Sequence, residues 1–115
     1  MEIEIVGRDT SVTSEIREQV AKRFDRVGKQ VSEHARLEIV LREEANPSIR
    51  DRCVAEATLR LKKVTLHAEE RSPEMRHSIK ALSLDIRRQV KRHRELRRKR
   101  STTRRLVGRM RGREA

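Results

Sequence analysis

Between Lys80 and Arg94 the cations of this chain return at helical intervals. Lys80, Arg87, Arg88 and Lys91 share roughly one face at about 100° per residue. Met75, Ile79, Leu82, Ile86 and Val90 follow one another at steps of four, three, four and four, the apolar stripe of the other face. A helix over Ser72 to Arg100 built in this way holds a core with one side and presents positive charge with the other. Past Asp85 almost no acid balances the run. The chemistry open to such a face is recognition of phosphates by Lys and Arg, which reads shape and charge rather than base sequence.

Other chemistry finds little support. His34, His67, His77 and His93 are scattered, and none belongs to a ligand pair. His93 shares the phase of the apolar stripe, which makes it a packing or capping residue. Cys53 alternates with aliphatic residues and reads as a small buried hydrophobe. The pair Glu69-Glu70 lies beside basic residues, as solvated charge does. Gly7, Gly28, Gly108 and Gly112 form no phosphate-cradling loop. No catalytic residue, metal or cofactor is expected, and the chain reads as a non-enzyme. Stacking on bases is also disfavoured: there is no Trp or Tyr, and the single Phe, Phe24, falls on a core-facing stripe.

Composition sets the frame. A chain of 115 residues has room for one domain with a modest core. Its formal charge is +12, unevenly placed: residues 91–115 carry twelve Lys/Arg against two Glu, so only two of the twelve charges remain for residues 1–90. A nearly balanced domain followed by a cationic arm favours a polyanionic partner, nucleic acid before an anionic membrane surface. One cysteine permits no internal disulfide, no stretch resembles a signal peptide, and no apolar run is long enough to span a membrane. A cytoplasmic protein is expected.

The elements that must position the cations can be taken in order. Glu2 to Val6 alternates as a half-buried strand, ended by Gly7. Thr13 caps a helix expected from Ser14 to Val27, with Ile16, Val20, Phe24 and Val27 on one face and Gly28 as its stop. Arg36 to Glu43 and Cys53 to Leu61 are strands, joined by a turn at Asn46-Pro47-Ser48. Lys62-Lys63 turns the chain into a fourth strand with Val64, Leu66 and Ala68 on one side. Ser72 then caps the last helix, with Pro73 at its first position and Glu74 in its first turn. The order β-α-β-β-β-α predicts an α+β domain, one four-stranded sheet with both helices on one face. The other face would show Glu38, Val40, Arg42, Val54, Glu56, Thr58, Arg60, Thr65 and His67 to water. Residues 1–100 form the domain, and residues 101–115 read as a basic tail, disordered when free.

Several short patterns in fixed order resemble the ribosome hibernation promoting factors, also called ribosome-associated inhibitor A or sigma-54 modulation proteins, in their short form. They are Ile3-x-Ile5-x-Gly7-Arg8; Val12-Thr13-x-x-Ile16-Arg17-Glu18-x-Val20-x-Lys22; Leu59-x-Leu61 with Leu66-x-Ala68-Glu69; Glu74-Met75-x-x-x-Ile79; and Ile86-x-x-Gln89-Val90-x-Arg92-His93-Arg94. The resemblance covers about residues 1–98 and implies the same β-α-β-β-β-α fold, similar to a double-stranded-RNA-binding domain. It implies binding in the mRNA and tRNA channel of the small ribosomal subunit, with translation stopped and idle ribosomes protected in stationary phase or stress. The RNA-binding residues it implies are Lys22, Arg26 and Lys29 on the first helix, and Lys80, Arg87, Arg88, Lys91, Arg92 and Arg94 on the second. Arg76 and Ser78-Ile79-Lys80 stand where the family commonly has an aromatic and Ala-Ile-Asp. The long form's dimerising domain has no counterpart here, so a monomer is expected, with the small subunit and its rRNA as partner and neither membrane nor small-molecule substrate. Two other readings share the fold: a general RNA binder acting outside the decoding channel, and a regulator that binds a protein.

Overall fold

A computed structural model describes the backbone of residues 1–114 and the side chains of residues 1–100. The chain forms β1 (Glu2–Arg8), α1 (Ser14–Arg23), α2 (Asp25–Gln30), β2 (Arg36–Glu43), β3 (Cys53–Arg60), β4 (Thr65–Ser72) and α3 (Met75–Glu114). One sheet runs β1-β2-β3-β4, with β1 parallel to β2 and the other neighbours antiparallel. This is the α+β arrangement expected from the order of elements. The last helix, expected to end at Arg100, continues in its backbone to Glu114.

Alternation along the strands decides the two faces. Leu37, Ile39 and Leu41 of β2 and Ala55, Ala57 and Leu59 of β3 point to the helices and are all but inaccessible. Val20, Phe24 and Val27 of the first helices meet them there with Ile79, Leu82, Ile86 and Val90 of α3, in one cluster. Because β1 and β2 are parallel, the chain must return between them, and α1–α2 makes that crossover. Since β4 runs parallel to β2, the helix that follows it returns in the same sense. Both helical segments therefore lie side by side on one face of the sheet, α3 packing on β3, β4, α1 and α2.

Three expectations need correction. First, the helix from Ser14 to Val27 is two helices. Thr13 caps the first as expected, its Oγ accepting from the Ile16 N–H at 3.2 Å. Phe24 then leaves helical geometry at φ −97°, ψ 5°, and α2 starts at Asp25. Gly28 is no stop: its N–H reaches the Phe24 carbonyl at 3.0 Å inside α2. Burial of Phe24 and Val27 in the same core holds both short segments despite the break.

Second, β4 continues through Ser72, so α3 begins at Met75 and Glu74 lies before its first turn. The Ser72 hydroxyl still accepts from the Glu74 N–H at 3.3 Å, but it also bonds Ser78 Oγ at 2.7 Å. Ser78, fully buried, donates to the Cys53 carbonyl at 2.7 Å. This serine pair ties the end of β4 and the start of α3 to the first residue of β3. Third, Val54 was expected on the wetted face and is fully buried. In register it lies between Arg42 and Arg71, both ion-paired to Glu44. Long guanidinium side chains lay their apolar stems over such a neighbour.

The turn after β1 depends on the absence of a side chain. A Cβ at Gly7 would come within 2.5 Å of the Thr10 carbonyl oxygen and 2.9 Å of Val12 Cγ2. Two residues on, Asp9 takes φ 56°, a conformation Asp tolerates better than most residues. The chain thus reverses tightly enough for Thr13 to start α1.

Candidate nucleic-acid interface

The cations on α3 divide by phase. At roughly 100° per residue, Arg76, Arg87, Lys91 and Arg94 all fall within about 40° of Lys80. Gln89 lies on the opposite flank, where its amide donates to the His67 carbonyl of β4 at 2.8 Å and to Asp85 at 3.0 Å. The Lys80 flank therefore faces away from β4, on the side of α1–α2. Arg88 and Arg92 lie further round, on the outer surface, exposed.

The first helices add to that flank. Gln19 of α1 donates to the Arg76 carbonyl at 3.0 Å, which seats α1 beside the first turn of α3. Lys22, Arg23 and Arg76 line a shallow groove at this seam together with Glu15, Glu18, Gln19 and Ile16. Arg26 and Lys29 follow on α2, both exposed, and Lys29 pairs with Asp25 at 3.1 Å. Among the described residues, no ion pair engages Lys22, Arg26, Lys80, Arg87, Arg88, Lys91, Arg92 or Arg94. Such groups keep their charge for an outside partner.

Of the sequence-derived residues, then, Lys80, Arg87, Lys91 and Arg94 share one flank. Lys22 lies at its seam with α1, Arg26 and Lys29 stand on the neighbouring α2, and Arg88 and Arg92 stand apart. Arg23 and Arg76 were not among the expected residues. The signal for Arg76 was available: it precedes Lys80 by one helical turn. Arg23 owes its place to the α1–α3 seam, which no local spacing encodes.

The opposite face of the sheet handles charge differently. Arg42 reaches Glu44 at 2.9 Å, Glu69 at 3.4 Å and Glu56 at 3.7 Å. Arg71 bridges Glu44 at 3.1 Å and Glu69 at 3.2 Å. Hydrogen bonding from Arg42 above all holds the Glu44 carboxyl below the usual carboxylate range; desolvation opposes it, and a further hydrogen bond from Arg71 adds to it. Arg60 pairs with Glu38 and Arg36 with Glu2. A face neutralised strand by strand has little to offer a polyanion.

Cys53 is half-buried, and burial raises its thiol pKa, so it stays protonated at neutral pH. Among the described residues no cluster of His, Cys, Asp or Glu could hold a metal ion, and no helix is long and apolar enough to cross a membrane.

Among curated protein sequences none matches the chain. Solved structures share its fold. The Thermus thermophilus Protein Y N-terminal domain superposes with a TM-score of 0.69 at 23% identity, covering 81% of this chain and 99% of that one. A ribosomal subunit interface protein from Coxiella burnetii gives a TM-score of 0.70 at 17% identity, covering 83% of this chain and 99% of that one. The family model described as sigma 54 modulation protein / S30EA ribosomal protein matches residues 3–98. With that match spanning most of its length, the chain belongs to the sigma 54 modulation / S30EA ribosomal protein family.

Proposed function

We propose that this protein is a ribosome-binding translation inhibitor of the hibernation type, acting in the cytoplasm under stress or in stationary phase. It occupies the mRNA and tRNA channel of the small subunit and contacts rRNA through the cations of α1, α2 and α3. The observation that carries this reading is the sorting of charge: among the described residues, the candidate cations of the helical layer have no ion-pair partner apart from Lys29 with Asp25, while the sheet face neutralises its own. Family membership supplies the ribosome as the polyanion. The action is steric and needs no catalytic group. Residues 1–100 are the binding unit, and residues 101–115 are a basic arm the fold does not require, so a chain cut after Arg100 keeps its melting temperature.

The test compares two triple variants of equal charge. Lys80→Glu, Arg87→Glu and Lys91→Glu alter the helical face; Arg109→Glu, Arg111→Glu and Arg113→Glu alter the arm. Docking in a shaped channel depends on where cations are held, and a packed helix presents them without further ordering. The helical variant should stop sedimenting with ribosomal subunits in a sucrose gradient and lose inhibition in a purified translation system, while the arm variant keeps both. Equal losses would replace the channel reading with general polyanion binding. Circular dichroism establishes first that both variants are folded.

A further inference from the structure

The apolar stripe of α3 does not simply end; it changes character. Its positions Ile79, Leu82, Ile86 and Val90 are buried and His93 is half-buried. The next position in the same phase is Arg97, and Arg100 follows within the stripe's margin. Residues 94 to 100 are all exposed, and they include Arg94, Arg97, Arg98, Lys99 and Arg100 against one acid, Glu95. At roughly 100° per residue, Arg94 and Arg98 continue the Lys80 flank, Lys99 lies on the outer side, and Arg97 and Arg100 point where the core was. The helix thus leaves its own domain and becomes cationic on every side.

A helix that meets a polyanion only from outside its domain needs no Lys or Arg in its core phase, and residues 75–93 carry none there. On the core-side phase, where an apolar partner would require Leu or Ile, there are guanidinium groups instead. Leu96 is 46% exposed and has no apolar neighbour at helical spacing within this segment. Another protein's apolar groove is therefore a poor occupant, and phosphates on two sides are a good one.

We propose that the overhang from Arg94 to Arg100 inserts between two phosphate backbones of a folded RNA, at a bulge or junction that opens the deep groove. The inference rests on the RNA-binding reading above and adds a second mode of contact. The uninterrupted deep groove of an RNA duplex is too narrow for a helix of about 10–12 Å diameter. On such a duplex the overhang can lie with one side only.

The experiment uses the full chain and two double variants, Arg94→Gln with Arg98→Gln and Arg97→Gln with Arg100→Gln. Glutamine keeps the helix propensity close to that of arginine. Each protein is titrated, across a range of salt concentrations, with an RNA stem carrying an internal bulge and with an uninterrupted duplex of the same length. On the bulged stem both pairs should lower affinity several-fold and reduce the slope of log affinity against log salt by roughly 1–2. On the uninterrupted duplex only the Arg94/Arg98 pair should do so. Unchanged bulged-stem affinity in the Arg97/Arg100 variant overturns the insertion. So do equal losses by both variants on both RNAs, which total charge alone explains. Should the Lys80/Arg87/Lys91 variant keep its ribosome binding, the proposed function fails, while the two titrations still decide this inference on its own terms.

Discussion

Both faces of the sheet are rich in charged side chains and use them in opposite ways. Across β2, β3 and β4 the register sets Arg42 beside glutamates on three sides, and the pairs close within about one residue spacing. On the helical layer the only ion pair that engages a candidate RNA-binding residue, among those described, is Lys29 with Asp25. The difference teaches how one small basic domain can bind a polyanion in a fixed orientation. Charge that is already paired is screened from a distant phosphate, whereas unpaired charge on a rigid element is not.

Both faces depend on one core, so the largest effect should come from breaking it. Leu82→Ala removes a fully buried side chain between α3 and the sheet and should cost about 2–5 kcal/mol, read from denaturant unfolding. An unchanged midpoint would mean that the two layers are not joined as described. Gly7→Ala should cost about 1–3 kcal/mol, because the new methyl meets backbone at Thr10 and must displace the turn that launches α1.

A smaller loss sharpens the contribution of the first helices. Lys22→Ala with Arg26→Ala should leave stability nearly unchanged and reduce ribosome affinity a few-fold, lowering the salt slope by roughly 2 or less. No change in slope would confine the interface to α3. Glu44→Gln should have the least effect, confined to the sheet face and dependent on pH. The Glu44 carboxyl is depressed in the folded state, chiefly by the hydrogen bond from Arg42. Its contribution to stability is therefore complete above the ordinary carboxylate range and vanishes as pH falls through the lowered value. Wild type should be slightly more stable than Glu44→Gln at neutral pH and lose that advantage in acid, with ribosome binding alike in the two. A variant with impaired binding would show that the sheet face takes part after all.

Much of this was legible because the relevant signals are local. Alternation over Arg36 to Glu43 marked β2 to the residue, since each side chain of a strand chooses a face by parity alone. Thr13 marked the start of α1 because an N-cap needs only its own third neighbour. The cationic flank of α3 followed from spacing within one helix. Less legible were features that two distant segments create together. Ser72 looks like the cap of the last helix, but pairing with Cys53 across the sheet keeps it in β4, and its hydroxyl accepts from Glu74 just before the helix starts. Phe24 sits in phase with Val20 and gives no sign that the helix breaks there. Val54 alternates with the polar residues of its strand, and nothing in that pattern shows that its register neighbours Arg42 and Arg71 are both tied to Glu44 beside it.

By itself the sequence determined the α+β order, the stripe that makes the core and the segregation of charge toward the C-terminal helix. All three follow from periodicity and count, which need no knowledge of what lies across the core. Only the tertiary structure decided that Arg23 and Arg76 meet at the α1–α3 seam and that the sheet face neutralises itself. The physical reason is the same in both cases. Whether a charged side chain is free or spent depends on neighbours that the sheet register and helix packing bring within a few ångströms, from positions dozens of residues away.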